Sequence, residues 1–305
     1  MSNNTEKSLR RIGLEIAFLV LLFIVFQILV VVKERDGENI QKKILVENVE
    51  QKGQVSEQSI TEEPTKKQAA RLKTVFYQTV GVKTKIYDRV DDKYLERMCQ
   101  DALERIREIG ASQDQYFVYV DRNPQKQLGF VCFFDSKNKQ IIVIGKDLVS
   151  TGNPKRGKDY FLTPVGVFQN TLDNFGYRAL GTKNKKGWRG LGRKGARVWD
   201  FGWQETSKTI KAKDKILIRL LMHATDPDFG EPRLGRVDSK GCVRISAQLN
   251  DFLDKFGILD KEYEDHYHKG MWLLRKDRQT VCCAGKYLII GDSGNSGNIS
   301  SNAKK

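Results

Sequence analysis

Acidic residues are in short supply in this chain. Asp and Glu number 38 against 53 Lys and Arg, and the formal net charge is +15. That balance points to anionic surroundings: nucleic acid, a membrane surface or an acidic polymer. Histidine is scarcer, three residues in 305, and no two carry the His-x-x-x-His spacing of a helical metal pair. Long apolar runs are missing, with one exception. At 39% hydrophobic the composition excludes an all-membrane protein and still suffices for a core in part of the chain. An even cysteine count is also lacking. Cys99, Cys132, Cys242, Cys282 and Cys283 make five, so in an oxidising compartment at least one thiol stays unpaired and is a candidate reactive group.

The one long apolar run is Ile12 to Val32, 21 residues broken only by Glu15 and Gln27. At about 1.5 Å per residue it spans a hydrocarbon core of roughly 30 Å. Lys7, Arg10 and Arg11 precede it against Glu6 alone, and the far flank Lys33-Glu34-Arg35-Asp36 is neutral. The positive-inside bias puts the N-terminus in the cytoplasm and residues 33–305 across the membrane. A cleaved signal peptide is the competing reading. It requires a shorter apolar region and a small-residue cleavage site, and this run ends Val-Val-Val-Lys-Glu-Arg-Asp, which favours an uncleaved anchor. The expected plan is a cytoplasmic tail at 1–11, a transmembrane anchor at 12–32, a polar stalk at 33–80 and a helical lead-in at 81–114. A folded domain at 115–291 and a disordered Gly/Ser/Asn tail at 292–305 complete it.

Within the lead-in, Leu95, Met98, Cys99, Ala102, Leu103, Ile106 and Ile109 recur at helical spacing up to Gly110, so Cys99 is expected in the core. Beta signals follow at Tyr116–Asp121, Leu128–Phe134 and Gln140–Gly145, with Cys132 inside the apolar run FVCFF. Short strands broken by Gly-rich loops continue to Trp203, and Lys215–Met222 is a strand feeding His223. Ser246 is a plausible N-cap for a helix with Leu249, Phe252, Leu253 and Phe256 on one face, stopped by Gly257. Lys286–Gly291 is the last strand. The fold class expected is mainly β with a few helices.

Several motifs lead nowhere. Gly152-Asn-Pro-Lys-Arg-Gly157-Lys158 is a phosphate loop lacking its Ser or Thr, with Pro164 and strand character where a helix is needed. Gly190, Gly192 and Gly195 spell GxGxxG with neither strand before nor helix after. Glu264-Asp265-His266-Tyr267-His268 is read as an exposed turn, not a metal site. Lys183, Lys185, Lys186, Arg189, Arg193, Lys194 and Arg197 form an acid-free run with Trp188 and Trp199 in or beside it. It is a solvated loop or a binding loop for an anionic polymer or a carboxylate-bearing substrate; across a membrane, nucleic acid is not the expected partner.

The chemistry concentrates between Leu221 and Ile245. His223 stands at a strand end, and Ser239-Lys240-Gly241-Cys242-Val243-Arg244 follows fifteen residues later. A cysteine becomes a nucleophile when a base takes its proton, and a histidine elsewhere in the fold can be that base. A buried thiol and an unrelated surface histidine would give the same letters. The glycine before Cys242 lets the backbone approach a ligand, and the helix after Ser246 offers its dipole to a thiolate.

Taken in order, Ser150-Thr151-Gly152, Thr163-Pro164-x-Gly166-x-Phe168, His223-x-Thr225 and Ser239-x-Gly241-Cys242-Val243-Arg244 resemble the catalytic domain of the L,D-transpeptidases of bacterial cell walls. The resemblance covers roughly residues 115–291. It implies a β-sandwich-like catalytic fold, peptidoglycan stem peptides as substrate, and neither metal nor organic cofactor. It implies Cys242 as nucleophile and His223 as base, with backbone N–H groups around Gly241 and Cys242 as oxyanion donors and Ser239 bracing the loop. Arg244, Lys240 and Thr225 become the candidates for holding substrate, and Thr163, Pro164 and Gly166 lie near the site floor. The family usually has His where this chain has Lys240, and Gly where it has Ala224. An L,D-carboxypeptidase, or a catalytically silent wall-binding module, are the alternatives.

Overall fold

The computed structural model describes residues 64–81, 86, 89–267 and 271–294, all of which fall in one compact unit beginning at Glu63. The expected anchor at 12–32 and most of the stalk lie outside them. Among the described residues no helix is long and apolar enough to cross a membrane.

The fold is mainly β, with two mixed sheets. The first sheet is built from β1 (Gln115–Asp121), β2 (Leu128–Asp135), β3 (Gln140–Leu148), β4 (Gly166–Gln169) and β9 (Tyr287–Gly291), in the order β3-β2-β1-β9-β4. The second holds β5 (Tyr177–Arg178), β6 (Arg197–Thr206), β7 (Ile216–Ala224) and β8 (Val243–Ile245), in that order. Pairing is antiparallel except for β1 with β9 and β7 with β8. The last strand inserts between β1 and β4, so the two ends of the 115–291 segment close on each other.

Every residue of β1 and β2 is buried, which is why their sequences run apolar without the alternation of a half-exposed strand. One face, with Tyr116, Val118, Val120, Val131 and Phe133, shares a core with Trp199, Phe201, Leu220, Met222, Val243 and Ile245 of the second sheet. The opposite face, with Phe117, Tyr119, Phe130, Cys132 and Phe134, is covered by α2 (Asp92–Glu108) through Tyr94, Met98, Ala102 and Ile106. Asp91 caps that helix by accepting the Tyr94 N–H at 2.7 Å. Cys99 sits only at the margin of this core, half-buried, because the buried stripe runs through Met98 and Ala102. Helix α3 (Ala247–Phe256) has the expected Ser246 cap and a left-handed Gly257 stop.

Four expectations need correction. The stalk does not reach residue 80: α1 (Pro64–Thr79) places Ala69, Leu72, Phe76 and Val80 in the main core. Their spacing of three and four residues is a helical stripe diluted by charges. Arg197 and Trp199 do not belong to the basic loop. Both lie fully buried on β6, where Arg197 pairs with Asp260 at 3.0 Å. The exposed turn at 264–268 is instead α4 (Lys261–His266), which buries Tyr263; His268 lies outside the described residues. The tail does not begin at 292, since Asp292 is paired with Arg122 at 3.0 Å and Ser293 accepts from Asn123.

Candidate active site

Strand register brings the candidate residues together. On β7, Leu220 and Met222 face the shared core, so Leu217, Arg219, Leu221 and His223 face the other way. His223 lies opposite Arg244 of β8. Cys242 precedes β8 by one residue and continues its alternation, beside Leu221 and on the His223 face. Ideal strand spacing of about 4.8 Å and rise of about 3.3 Å per residue would put the two Cα atoms on a diagonal of about 8 Å. Tyr177 of β5 projects on this face as well, since it pairs with Val198, the residue opposite His223. A bulge at Gly202 (φ +76°) lets both Asp200 and Trp203 take this face although an odd number of positions separates them. Arg219 joins the two, binding Asp200 at 2.9 and 3.0 Å and lying over the Trp203 ring at 5.8 Å.

The loop that carries Cys242 is strapped down from three sides. Ser150 and Arg244 exchange backbone hydrogen bonds of 2.9 Å in both directions, and the Asp238 and Ser239 amides both donate to the Thr151 carbonyl. Ser239 Oγ donates to the Cys242 carbonyl at 2.6 Å and accepts the Gly241 N–H at 3.0 Å. Thr163 Oγ1 accepts the Gly152 N–H at 2.9 Å and donates to the Gly241 carbonyl at 2.8 Å. Two glycines are required here. A Cβ on Gly152 would stand 1.9 Å from the Phe161 carbonyl, and Gly241 has φ +138° with the Ile218 side chain 2.6 Å from where its Cβ would be. The separated blocks Ser150–Gly152, Thr163 and Ser239–Arg244 thus meet at one place.

Two of the expected groups are already engaged. The Gly241 N–H donates to Ser239 Oγ at 3.0 Å. The Cys242 N–H makes no hydrogen bond among the described residues. Thr225 is buried at the strand end, its amide bonded to the Ile245 carbonyl and its hydroxyl packed against Gly230. Lys240 is exposed, its ammonium 5.6 Å from the Tyr160 ring centroid, and its carbonyl accepts the Phe161 N–H.

The electrostatics favour a neutral pair at rest. His223 is buried, and burial pushes its pKa down to about 4, against the Ala224 carbonyl that raises it and with the Arg244 charge that lowers it. Its Nδ1 is 2.7 Å from the Ala224 carbonyl oxygen, which fixes Nδ1 as the protonated nitrogen and leaves Nε2 as acceptor. Burial raises the Cys242 pKa, opposed by the backbone of Leu221 and the charge of Arg244, while Asp200 adds to the rise. The thiol contacts the Arg219 carbonyl at 3.8 Å and the Leu221 backbone, and among the described residues it makes no hydrogen bond to His223. The cysteine is therefore a thiol beside a neutral imidazole.

Sequence reading missed the groups around this pair. Asp238 is buried and holds three arginines: Arg156, Arg233 at 2.5 Å and Arg244 at 3.0 Å. One carboxylate among three guanidiniums leaves net positive charge beside the thiol. A groove of about 640 Å³ runs from Tyr177 under the 180–192 loop past Lys183 and Trp188 to Trp272. The basic loop therefore forms a wall of a groove that begins at Tyr177, whose own pKa is raised first by burial and further by Asp200 and Cys242. In a second cavity of about 390 Å³ between α2 and β1, Asp121 is engaged by Tyr94 at 2.8 Å and Asp101 by Tyr119 at 2.7 Å. Among the described residues no group of three or more His, Cys, Asp or Glu is arranged to hold a metal ion. No family model matches the chain, and no curated protein matches it.

Proposed function

We propose that the chain is a membrane-anchored cysteine acyltransferase of the L,D-transpeptidase kind, acting on peptidoglycan stem peptides. The observation that carries this reading is the convergence of Cys242, His223 and Arg244 on one face of a four-stranded sheet, on a loop strapped by Ser150–Gly152 and Thr163. Two mixed sheets sharing one core support the β-sandwich-like architecture that the resemblance implies. The anchor at 12–32 puts the domain in the periplasm or otherwise outside the membrane, where such substrate lies.

In this mechanism Nε2 of His223 takes the Cys242 proton as sulfur attacks the carbonyl that joins an L-centre to a terminal D-residue. A neutral base and a neutral thiol avoid standing charge in a buried site, so the proton moves as the C–S bond forms. The Cys242 N–H receives the developing oxyanion. The leaving amine takes the proton back from His223, and the thioester is resolved by an acceptor amine, giving a cross-link, or by water, giving trimming. The arginines on Asp238, with Lys240 at the rim, hold substrate carboxylates.

The test is the intact mass of the full chain after a carbapenem. A covalent adduct on the wild type that Cys242→Ala abolishes supports the reading. No adduct on either protein defeats it and leaves the silent wall-binding module. Muropeptide profiles with and without the protein then distinguish cross-linking from carboxypeptidase trimming.

A further inference from the structure

Cys282 and Cys283 lie at the start of the approach to β9, far along the chain from the nucleophile loop. Their sulfurs are 3.2 Å apart and share a hydrogen bond. Cys282 is exposed and Cys283 half-buried. Gln68 of α1 accepts from the Cys282 amide at 3.1 Å and from its thiol at 3.2 Å, which fixes the exposed sulfur beside its neighbour. On the other side, the Cys283 carbonyl accepts the Tyr116 N–H of β1 at 2.9 Å, so the pair is tied to a core strand. A cavity of about 390 Å³, bordered by Asp114, Lys261 and Asp265, opens on both cysteines.

One further group belongs to this place. The Tyr116 hydroxyl is buried with no hydrogen-bond partner among the described residues. A native fold seldom leaves such a group idle. Its pKa is raised first by burial and then by charge on Cys282 and Cys283. The Cys283 thiol is pushed up to about 12, mainly by burial and then by its bond to Cys282. Cys99 and Cys132 are both free and pack with α2 on the far face of the first sheet.

We infer that Cys282 and Cys283 form a redox-active vicinal dithiol that closes reversibly to a disulfide by exchange with a disulfide donor. The exposed Cys282, as thiolate, attacks one sulfur of the donor RSSR and forms a mixed disulfide, expelling RS⁻. Cys283, as thiolate, then attacks Cys282 Sγ, expelling the second RS⁻. The two protons lost by the cysteines end on the two RS⁻ groups, so the pair is oxidised by two electrons and the donor is reduced to two thiols. Closure brings the sulfurs from 3.2 Å to the ordinary S–S bond of about 2.05 Å, and because adjacent Cα atoms lie about 3.8 Å apart, short of the usual disulfide span, the closed ring is strained and readily reduced. The site is independent of the chemistry at Cys242.

Trypsin cuts after Arg278 and Lys286, so both cysteines fall in the single peptide Gln279–Lys286. The full chain is equilibrated in glutathione buffers of graded ratio, trapped with N-ethylmaleimide, digested and weighed. As the buffer becomes oxidising, the doubly labelled peptide should give way to an unlabelled one lighter by two hydrogens than the free dithiol, and return on reduction. Cys283→Ser should stop at a stable glutathione adduct on Cys282. The inference is overturned if the wild-type peptide stays doubly labelled throughout, or accumulates the same adduct as Cys283→Ser without closing.

Discussion

Thr163 offers the sharpest single perturbation, because one hydroxyl serves two backbones. It accepts the Gly152 N–H and donates to the Gly241 carbonyl, and the side chain is 1% exposed. Thr163→Val keeps the shape and removes the oxygen, leaving a buried donor and a buried acceptor unpaired. Each orphan costs about 1–3 kcal/mol, so the pair costs about 2–6 kcal/mol. Water offers no relief on the Gly152 side, where even a Cβ would meet the Phe161 carbonyl at 1.9 Å. Thr163→Ser keeps both hydrogen bonds and loses one methyl, about 0.8 kcal/mol. Urea unfolding followed by tryptophan fluorescence should therefore place the valine variant well below the serine variant. The alkylation rate of Cys242 by iodoacetamide, followed on its own tryptic peptide, should change in the valine variant and stay close to wild type in the serine one. If valine and serine variants unfold within about 0.5 kcal/mol of each other, the bridge does not hold the nucleophile loop and the reasoning fails.

Two further outcomes are expected. The folded pKa of His223, about 4, lies below its ordinary value of about 6.5, so the unfolded chain binds the extra proton between them. Stability should rise with pH from about 4 to 6.5, by about 3 kcal/mol for this group, and be independent of this group below about 4 and above about 6.5. Urea midpoints at pH 4 and pH 7 should converge between wild type and His223→Gln as pH falls, and parallel curves would contradict the burial argument. Phe76→Ala should destabilise the protein by about 3–5 kcal/mol, because its ring is fully buried against Gly145 and Phe252; a loss under about 1 kcal/mol in calorimetry would return α1 to the stalk.

Much of the fold was legible where local pattern decides structure. The strands at 115–121, 128–135 and 140–148 and the helix from Ser246 to Gly257 follow from apolar runs, caps and stops. α1 was hidden by composition, not by period. Ala69, Leu72, Phe76 and Val80 form a proper stripe, but the segment between Lys66 and Thr79 is dense in Lys, Arg, Gln and Thr, which suggests a solvated segment. Arg197 and Trp199 were assigned to the basic run for a related reason. A charge run reads as one surface, and nothing local reports that the chain enters a strand at Arg197 and finds a buried partner in Asp260, sixty-three residues on.

The site was legible in its letters and not in its geometry. Cys242 and His223 stand out as residue types, yet what makes them a pair is the parallel register of β7 and β8, a contact between strands that no turn joins. Asp238 shows the same limit more strongly. As a sequence letter it is one more acid before a motif; in the fold it draws arginines from positions 156, 233 and 244 into one cluster beside the thiol. Three guanidiniums cannot gather around one buried carboxylate by mutual attraction alone, since they repel one another. The surplus positive charge is stabilised when an anion arrives, and its position next to Cys242 is what ties the acid-poor composition of the chain to the chemistry proposed for the thiol.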